Sequence, residues 1–208
     1  MRILVTAGPT REYIDSVRFI TNASSGQMGY CVARSAAAAG HEVTLLSGPV
    51  ALPTPPRCRR VDFVSVADLK KQLDEHFAHC DVIVMAAAVG DFTVANSSPV
   101  KLQRGQDPIS ITLVPTEDLL AGVGKIKRDG QTIVAFAVED GSVEQIEPRA
   151  RRKLIHKNAD YIVVNTPEAM AERESMAAIM SRDGLVLPWQ RRAKDELAKE
   201  IVALLAGG

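Results

Sequence analysis

Short apolar runs alternate with amphipathic segments along most of the chain. Several of these runs are apolar throughout, which is typical of strands in a parallel sheet that is covered on both faces. The pattern predicts seven strands, at residues 2–7, 42–46, 60–64, 82–87, 109–113, 132–137 and 161–164. The segments between and after them predict five helices, at residues 26–39, 67–79, 117–127, 147–157 and 189–205.

The repeated alternation of strand and helix predicts an α/β fold, in which a mostly parallel sheet lies between two layers of helices in a three-layer, Rossmann-like domain. Residues 176–180 and 185–188 flank the pair Asp183-Gly184. This dipeptide favours a tight turn between antiparallel strands, so we expect a C-terminal hairpin at one edge of the sheet. No repeat or linker interrupts the chain, which we interpret as a single domain over residues 1–208.

The composition is that of a globular protein without a dominant charge. The 208 residues are 46% hydrophobic and 24% charged, and 25 basic side chains balance 25 acidic ones. A net charge near zero gives no general attraction to nucleic acid or to an anionic membrane. No apolar run approaches the roughly 20 residues that span a bilayer, and no signal region precedes the first strand. We therefore expect a soluble, cytoplasmic protein with neither nucleic acid nor membrane as a partner.

A polar, glycine-containing stretch, Asn-Ala-Ser-Ser-Gly-Gln-Met-Gly at residues 22–29, leads into the first predicted helix. The first N–H groups of a helix have no intrahelical partner, and with the helix dipole they form an anion site. Gly26 and Gly29 allow close approach of a phosphate, while Ser24 and Ser25 can donate hydroxyls or cap the helix. The alternative is a simple N-cap with glycines that serve packing. The strand-loop-helix context favours phosphate binding.

Two common phosphate-binding motifs are absent from the sequence. No Gly-x-Gly-x-x-Gly follows the first strand, and the second predicted strand is followed by Ser47-Gly48-Pro49 without an acidic residue for ribose hydroxyls. No Gly-Lys-Ser/Thr follows a glycine-rich turn either. The stretch at residues 22–29 therefore indicates neither a dinucleotide site nor a Walker-type loop.

A specific family resemblance rests on motifs spread over most of the chain. They are Gly8-Pro9-Thr10-Arg11-Glu12, Asp15, Val17-Arg18, residues 22–29, Ser47-Gly48-Pro49 with Leu52-Pro53, Ala86-Ala87-Ala88-Val89 with Asp91, Lys101, Phe136-Ala137 with Glu139, Lys153, Lys157-Asn158, Asp160 and Asn165. Together they resemble the phosphopantothenoylcysteine synthetase (phosphopantothenate-cysteine ligase) family of coenzyme A biosynthesis, in its stand-alone bacterial form. Residues 1–208 would then be one synthetase-like, nucleotide-binding domain.

The resemblance implies a two-step ligation. Enzymes of this family activate the carboxylate of 4'-phosphopantothenate with a nucleoside triphosphate, CTP in most bacterial members and ATP in others, and release pyrophosphate. The amine of cysteine then attacks the acyl-nucleotide and releases the nucleoside monophosphate. The resemblance further implies Mg²⁺ with unassigned ligands, a homodimer and no flavin, and it allows a separate decarboxylase as a partner.

The resemblance also implies a set of site residues. Asn22 would assist acyl transfer because a side-chain amide is a neutral donor to the charge that develops at the carbonyl, and Lys101 would act from a loop that closes over the reacting groups. Asp91 would accept from the exocyclic amine of cytosine, and Lys153 and Lys157, four residues apart on one helix face, would hold the triphosphate. The implied nucleotide-binding residues are Gly8, Ser24, Ser25, Gly26, Met28, Gly29, Ala86, Ala87, Asp91, Glu117, Asp118, Phe136, Lys153 and Lys157.

Three departures from the family pattern concern the ligands rather than the fold. Gln27 stands where relatives commonly have lysine, Thr116-Glu117-Asp118 replaces Asn-Pro-Asp, and residues 171–176 replace a Phe-x-Ser-Asp-x-Asn segment. A catalytically silent nucleotide-binding module is therefore one alternative function. A short-chain reductase-like oxidoreductase is another, although none of the three tyrosines is followed by a lysine four residues later, as the Tyr-x-x-x-Lys pair of such enzymes requires.

Overall fold

The computed structural model of the protein describes residues 1–166 and 174–206, so residues 171–173 of the segment that departs from the family pattern lie outside the described part. The strands of this part of the chain are β1 (Arg2–Ala7), β2 (Arg11–Tyr13), β3 (Phe19–Thr21), β4 (Glu42–Ser47), β5 (Cys58–Asp62), β6 (Val82–Met85), β7 (Phe92–Val94), β8 (Leu113–Pro115), β9 (Thr132–Val138), β10 (Tyr161–Asn165), β11 (Glu174–Ser181) and β12 (Gly184–Ala193). Its helices are α1 (Gln27–Ala38), α2 (Val66–His76), α3 (Leu119–Lys125), α4 (Val143–His156) and α5 (Lys194–Ala206), and a 3₁₀ turn covers Phe77–His79.

Eight strands form the main sheet, in the order β12-β11-β10-β9-β6-β1-β4-β5. The six strands from β10 to β5 are parallel to one another, whereas β11 pairs antiparallel with β10 and forms an antiparallel hairpin with β12 at one edge. The predictions of an α/β fold, a mostly parallel sheet and a C-terminal edge hairpin are therefore confirmed. Short ribbons, β2–β3 and β7–β8, lie outside this sheet.

The core consists of two apolar clusters, one on each face of the sheet. Alternate residues of β1 divide between them, because successive side chains of a strand point to opposite faces. Leu4 lies in the cluster that receives buried side chains of α2, α3 and α4, such as Leu154. Ile3 and Val5 lie in the cluster that receives α1 and α5, such as Leu197. Helices thus cover both faces, which explains why central strands such as β6 are apolar throughout.

The helices begin in different ways, and the difference concerns the site. The Ser65 hydroxyl accepts from Asp68 N at 3.1 Å and the Asp68 carboxylate accepts from Ser65 N at 2.9 Å, which forms a capping box for α2. At α3, the Asp118 carboxylate accepts from Ala121 N at 3.0 Å. By contrast, Gly26 precedes α1 in a left-handed conformation (φ 75°) without a side-chain cap. The N–H groups at the start of α1 are left for another partner.

Two element predictions are wrong. The strand predicted at residues 109–113 is absent, and the strand in this region is β8, which pairs with β7 in the exposed ribbon rather than in the main sheet. The last helix begins at Lys194 rather than at residue 189, because the preceding residues extend β12 and pair with the start of β11. Pattern alone does not distinguish the end of an edge strand from a helix start, since tertiary pairing decides it.

Gly29 is where α1 packs against β1 most closely. A Cβ on Gly29 would lie 2.5 Å from Ala7 Cβ and 2.8 Å from Thr6 O. We predict that Gly29→Ala lowers the free energy of unfolding by about 1–3 kcal/mol, because it overpacks this contact. Urea denaturation with circular dichroism would measure the loss. The control is Gly122→Ala in α3, where the nearest atom would be 3.7 Å away and stability should stay equal or rise. Equal stability of the Gly29→Ala variant and the unmodified protein would contradict the prediction.

Candidate functional site

A cavity of about 470 Å³ opens at the carboxyl ends of the parallel strands, which is where open α/β sheets bind ligands. Its lining includes the segment after β6 and the ends of β9 and β10. The first residues of α1, α3 and α5 also line it. Thirteen predicted site residues line it: Asn22, Ser24, Ser25, Gly26, Met28, Ala86, Ala87, Asp91, Glu117, Asp118, Phe136, Lys153 and Lys157. The fold thus brings together residues that are more than a hundred positions apart.

The loop before α1 presents unpaired main-chain donors to the cavity. Gly26 N donates to Ser24 Oγ at 3.3 Å, and Tyr30 N donates to Gly26 O at 3.2 Å. Within the described residues, no hydrogen bond forms from the N–H groups of Gln27 and Met28, which are the first two of the helix. A left-handed Gly26 lets the chain turn into the helix with these donors exposed.

Gly8 and Gly29 do not line the cavity in the described part of the structure. Gly8 lies behind the loop, where a Cβ on Gly26 would come within 3.2 Å of Gly8 Cα. Gly29 faces β1. Both glycines therefore support the site by close packing, which is the alternative that the sequence pattern left open for Gly29.

The Asn22 side chain connects two segments of the cavity wall. Its Nδ2 donates to Ala88 O at 3.1 Å and to Val89 O at 3.2 Å. Two carbonyl oxygens can be bound only by the amide nitrogen, so this arrangement also fixes the orientation of the amide. Both amide hydrogens of Asn22 are therefore engaged with the main chain that follows β6.

The two lysines of α4 reach the cavity already paired with carboxylates. Lys153 Nζ lies 2.6 Å from Glu139 Oε1, a contact of opposite charges without hydrogen-bond alignment. Lys157 Nζ lies 3.5 Å from Asp118 Oδ1. Their spacing of four residues places both on one face of the last turn of α4. The pairs hold the ammonium groups in place, and they also reduce the net charge that a ligand meets.

Asp91 and Phe136 line the cavity from two neighbouring strand ends. Asp91 is exposed and follows the apolar segment after β6, and Phe136 lies half-buried on β9. Phe136 also packs against the apolar cluster beneath α1 and α5, so its ring combines a core contact with a cavity surface. Ala86 and Ala87 complete this part of the wall with small side chains that leave space for a ligand.

Lys101 is exposed and does not line the cavity in the described structure. The next residue ties its segment to the turn between β2 and β3: Leu102 N donates to Asp15 Oδ2 at 3.1 Å, and Arg18 Nη2 donates to Leu102 O at 3.0 Å. Burial raises the pKa of Asp15, but the N–H donors of Arg18, Val17 and Leu102 outweigh it, so the pKa lies below its ordinary value. Asp15 is therefore ionised at neutral pH and anchors the Lys101 segment.

Sequence reasoning assigned no role to two further residues that line the cavity. Asn165 ends β10, is buried, and its Oδ1 has no hydrogen-bond partner within the described residues. Its position at the carboxyl end of a predicted strand was a usable signal. Lys194 begins α5 and is 7% exposed. No signal marked Lys194, because the predicted helix started five residues earlier and placed this lysine inside it.

The described residues contain neither a cluster of metal-binding side chains nor a helix that could span a membrane. Over residues 1–166 and 174–206, no group of three or more histidine, cysteine, aspartate or glutamate side chains is arranged to hold a metal ion. In the same part of the chain, no helix has the length and apolar character needed to cross a bilayer. The carboxylates that line the cavity are those of Asp91, Glu117 and Asp118.

Comparison with known proteins relates the whole chain to one family. A protein-family model described as the DNA/pantothenate metabolism flavoprotein C-terminal domain matches residues 1–207. The crystal structure of the C-terminal domain of the coenzyme A biosynthesis bifunctional protein CoaBC superposes with a TM-score of 0.81 and 36% identity, over 98% of this chain and 93% of that one.

Curated relatives are longer than this chain. One relative is the coenzyme A biosynthesis bifunctional protein CoaBC of Mycolicibacterium smegmatis. The two sequences are 38% identical over an alignment of 220 residues that includes gaps and covers 99% of this chain and 52% of the relative. The chain is also 40% identical over 206 residues, 97% of this chain and 56% of the relative, to a cysteine/cysteine sulfinic acid decarboxylase from an unknown prokaryotic organism. The chain thus spans about half the length of the curated relatives it matches.

Proposed function

Because the chain belongs to the DNA/pantothenate metabolism flavoprotein C-terminal domain family, we propose that it is a phosphopantothenate-cysteine ligase of coenzyme A biosynthesis. The observation that carries the proposal is the cavity at the carboxyl edge of the sheet, which unites the unpaired N–H groups of α1, the Asn22 amide and the α4 lysines. A nucleoside triphosphate activates the carboxylate of 4'-phosphopantothenate, and the amine of cysteine then displaces the nucleoside monophosphate.

The start of α1 is proposed to bind the phosphate chain of the nucleotide. The N–H groups of Gln27 and Met28 are unpaired, and the positive end of the helix dipole favours an anion at this position. Lys153 and Lys157 lie across the cavity on α4 and offset further negative charge. Mg²⁺ commonly binds one or two carboxylates together with substrate phosphates, a set that Glu117 and Asp118 could supply here.

CTP is the proposed nucleotide, with ATP as the alternative. The carboxylate of Asp91 is an acceptor only, so it suits the exocyclic amine of cytosine and disfavours the carbonyl that uracil has at the same position. Phe136 offers a half-buried ring against which a base could pack. Both side chains line the same cavity as the start of α1.

Asn22 is proposed to assist acyl transfer after a change of partner. In the structure its Nδ2 donates to Ala88 O and Val89 O. To stabilise the charge that develops at the acyl carbonyl, one N–H must turn from a main-chain carbonyl to the substrate. The two bonds thus hold the amide at the cavity wall until the substrate replaces one of them.

A homodimer is proposed because apolar side chains remain exposed on the β7–β8 ribbon. Phe92 is 52% exposed, Leu113 is 42% exposed and Val114 is 38% exposed, and the adjacent segment adds Ile109 at 57%. Clusters of exposed apolar side chains commonly mark protein contacts. A second copy of the chain would cover them, and the neighbouring Lys101 segment would then lie close to that contact.

Pyrophosphate release tests the ligase proposal against the silent-module alternative. With 4'-phosphopantothenate and CTP but no cysteine, we expect a burst of pyrophosphate close to one per site, because the acyl-nucleotide accumulates. Addition of cysteine should convert the burst into continuous release. ATP in parallel assays determines the nucleotide preference. Nucleotide binding without pyrophosphate release under every condition would favour the silent module.

Asn22→Asp tests the role of the amide in the second step. The variant replaces a donor by an anionic acceptor that faces two carbonyl oxygens, so it should bind CTP and form amide about 100-fold more slowly. Rapid-quench measurement of amide formation, with CTP affinity measured separately, separates the two effects. Asn96→Asp, at an exposed asparagine outside the cavity lining, is the matched control and should retain the normal rate. A normal rate in the Asn22 variant would remove this residue from the mechanism.

Phe92→Asp tests the proposed dimer. A charge placed in the apolar contact should convert the protein from twice its 22.4 kDa chain mass to a monomer, as measured by analytical ultracentrifugation. Leu185→Asp is the matched control, because Leu185 is similarly exposed at 47% but lies on the edge hairpin. A monomeric unmodified protein, or a Phe92→Asp variant that stays dimeric, would contradict the proposal.

A further inference from the structure

Lys194 differs from the other lysines of the cavity in having no counter-charge. It is the first residue of α5, it is 7% exposed, and it lines the cavity. Within residues 1–166 and 174–206 its side chain forms neither a hydrogen bond nor an ion pair. Lys153 and Lys157 each have a carboxylate partner and are more exposed, with 46% and 24% of their side chains accessible. Lys194 therefore provides a positive charge at a largely buried position of the site, and no carboxylate of the described residues pairs with it.

A largely buried lysine that has no counter-charge among the described residues is unfavourable for the protein when no anion is bound. Burial lowers the pKa of Lys194, and the only group that opposes this effect is the thiol of Cys31 on α1. That thiol is itself buried, which raises its pKa to about 11, so at neutral pH it carries no negative charge. Placing a charge in such a position costs free energy that an apolar side chain would not. A purely structural role would thus be filled better by methionine or leucine.

The location of Lys194 indicates what could bind there. The interaction with Cys31 places Lys194 beside the second turn of α1, and α1 packs along α5. The unpaired N–H groups of Gln27 and Met28 open into the same cavity. A helix N-terminus and an ammonium group that serve one cavity are complementary to a phosphate, which accepts from both. The α4 lysines approach from the opposite face of the sheet.

We propose that Lys194 binds a phosphate group of the ligand at the α1 side of the cavity. This phosphate supplies the negative charge that no described side chain provides for Lys194. The proposal rests on the proposed function for the identity of the ligand. Two phosphates could be bound, namely the polyphosphate chain of the nucleotide and the phosphomonoester of 4'-phosphopantothenate. Their shared chemistry is that of a dianionic or polyanionic acceptor.

The proposal predicts opposite changes in stability and affinity for Lys194→Met. Removal of the unpaired charge should raise the Tm of the ligand-free protein by about 2–4 °C. The same variant should bind inorganic tripolyphosphate about 10- to 100-fold more weakly, since it lacks one charged hydrogen bond. Calorimetric titration and differential scanning calorimetry measure the two quantities. Lys199→Met is the matched control on the exposed face of α5 and should change neither.

The affinity decides the outcome. Tripolyphosphate binding within twofold of the unmodified protein, or no binding by the unmodified protein, overturns the proposal whatever the Tm. If Lys194→Met does not fold, Lys194→Gln repeats the test with a polar, uncharged side chain. Titrations with CTP and with 4'-phosphopantothenate then assign the phosphate, because only the ligand whose phosphate contacts Lys194 should lose affinity.

Failure of this proposal and failure of the proposed function give different results. Tripolyphosphate is neither a nucleotide nor a carboxylate, so its dependence on Lys194 can be established even if the protein forms no amide. Conversely, continuous pyrophosphate release together with unchanged tripolyphosphate binding in Lys194→Met would support the ligase and overturn the role of Lys194.

Discussion

The close packing of α1 against β1 is the constraint on which the rest of the site depends. Gly29 lies against Thr6 and Ala7 with no space for a side chain, and Gly8 and Gly26 contact each other where the loop enters the helix. This packing places the start of α1 at the carboxyl ends of the strands, where its unpaired N–H groups face the cavity. A larger residue at these contacts would move the helix, and the donors would move with it.

Charge is distributed unequally between the two faces of the sheet. On the α4 side, Lys153 and Lys157 are held by Glu139 and Asp118, so their ammonium groups are positioned before any ligand arrives. On the α1 and α5 side, Lys194 is largely buried, and none of the residues that the structure describes is such a partner for it. An ion pair orients a lysine side chain and offsets part of the cost of burying its charge. A lysine without such a pair attracts an incoming anion more strongly, but it lowers the stability of the folded protein. A site that binds several anionic groups in one cavity can use both.

The two ribbons beside the sheet connect the site to its surroundings. Thr93 Oγ1 donates to the buried Glu12 carboxylate at 2.6 Å, which joins the β7–β8 ribbon to the β2–β3 ribbon. Asp15, in the turn between β2 and β3, binds Leu102 N and so holds the Lys101 segment away from the cavity. Lys101 therefore lies outside the cavity that Asn22 lines, and the joint action proposed for them would require this segment to move or a second chain to contribute.

Hydrophobic patterning determined the layers, the strands of the main sheet except the extension of β12, and the edge hairpin, because burial on two faces demands uninterrupted apolar runs. The local motif at residues 22–29 likewise indicated an open helix start. Only the tertiary structure decided which distant residues share the cavity, that both amide hydrogens of Asn22 are engaged, and that Lys194 is buried without a partner among the described residues. These properties depend on where β12 ends and α5 begins and on contacts between residues far apart in the chain. A pattern of single residues contains no information about such contacts.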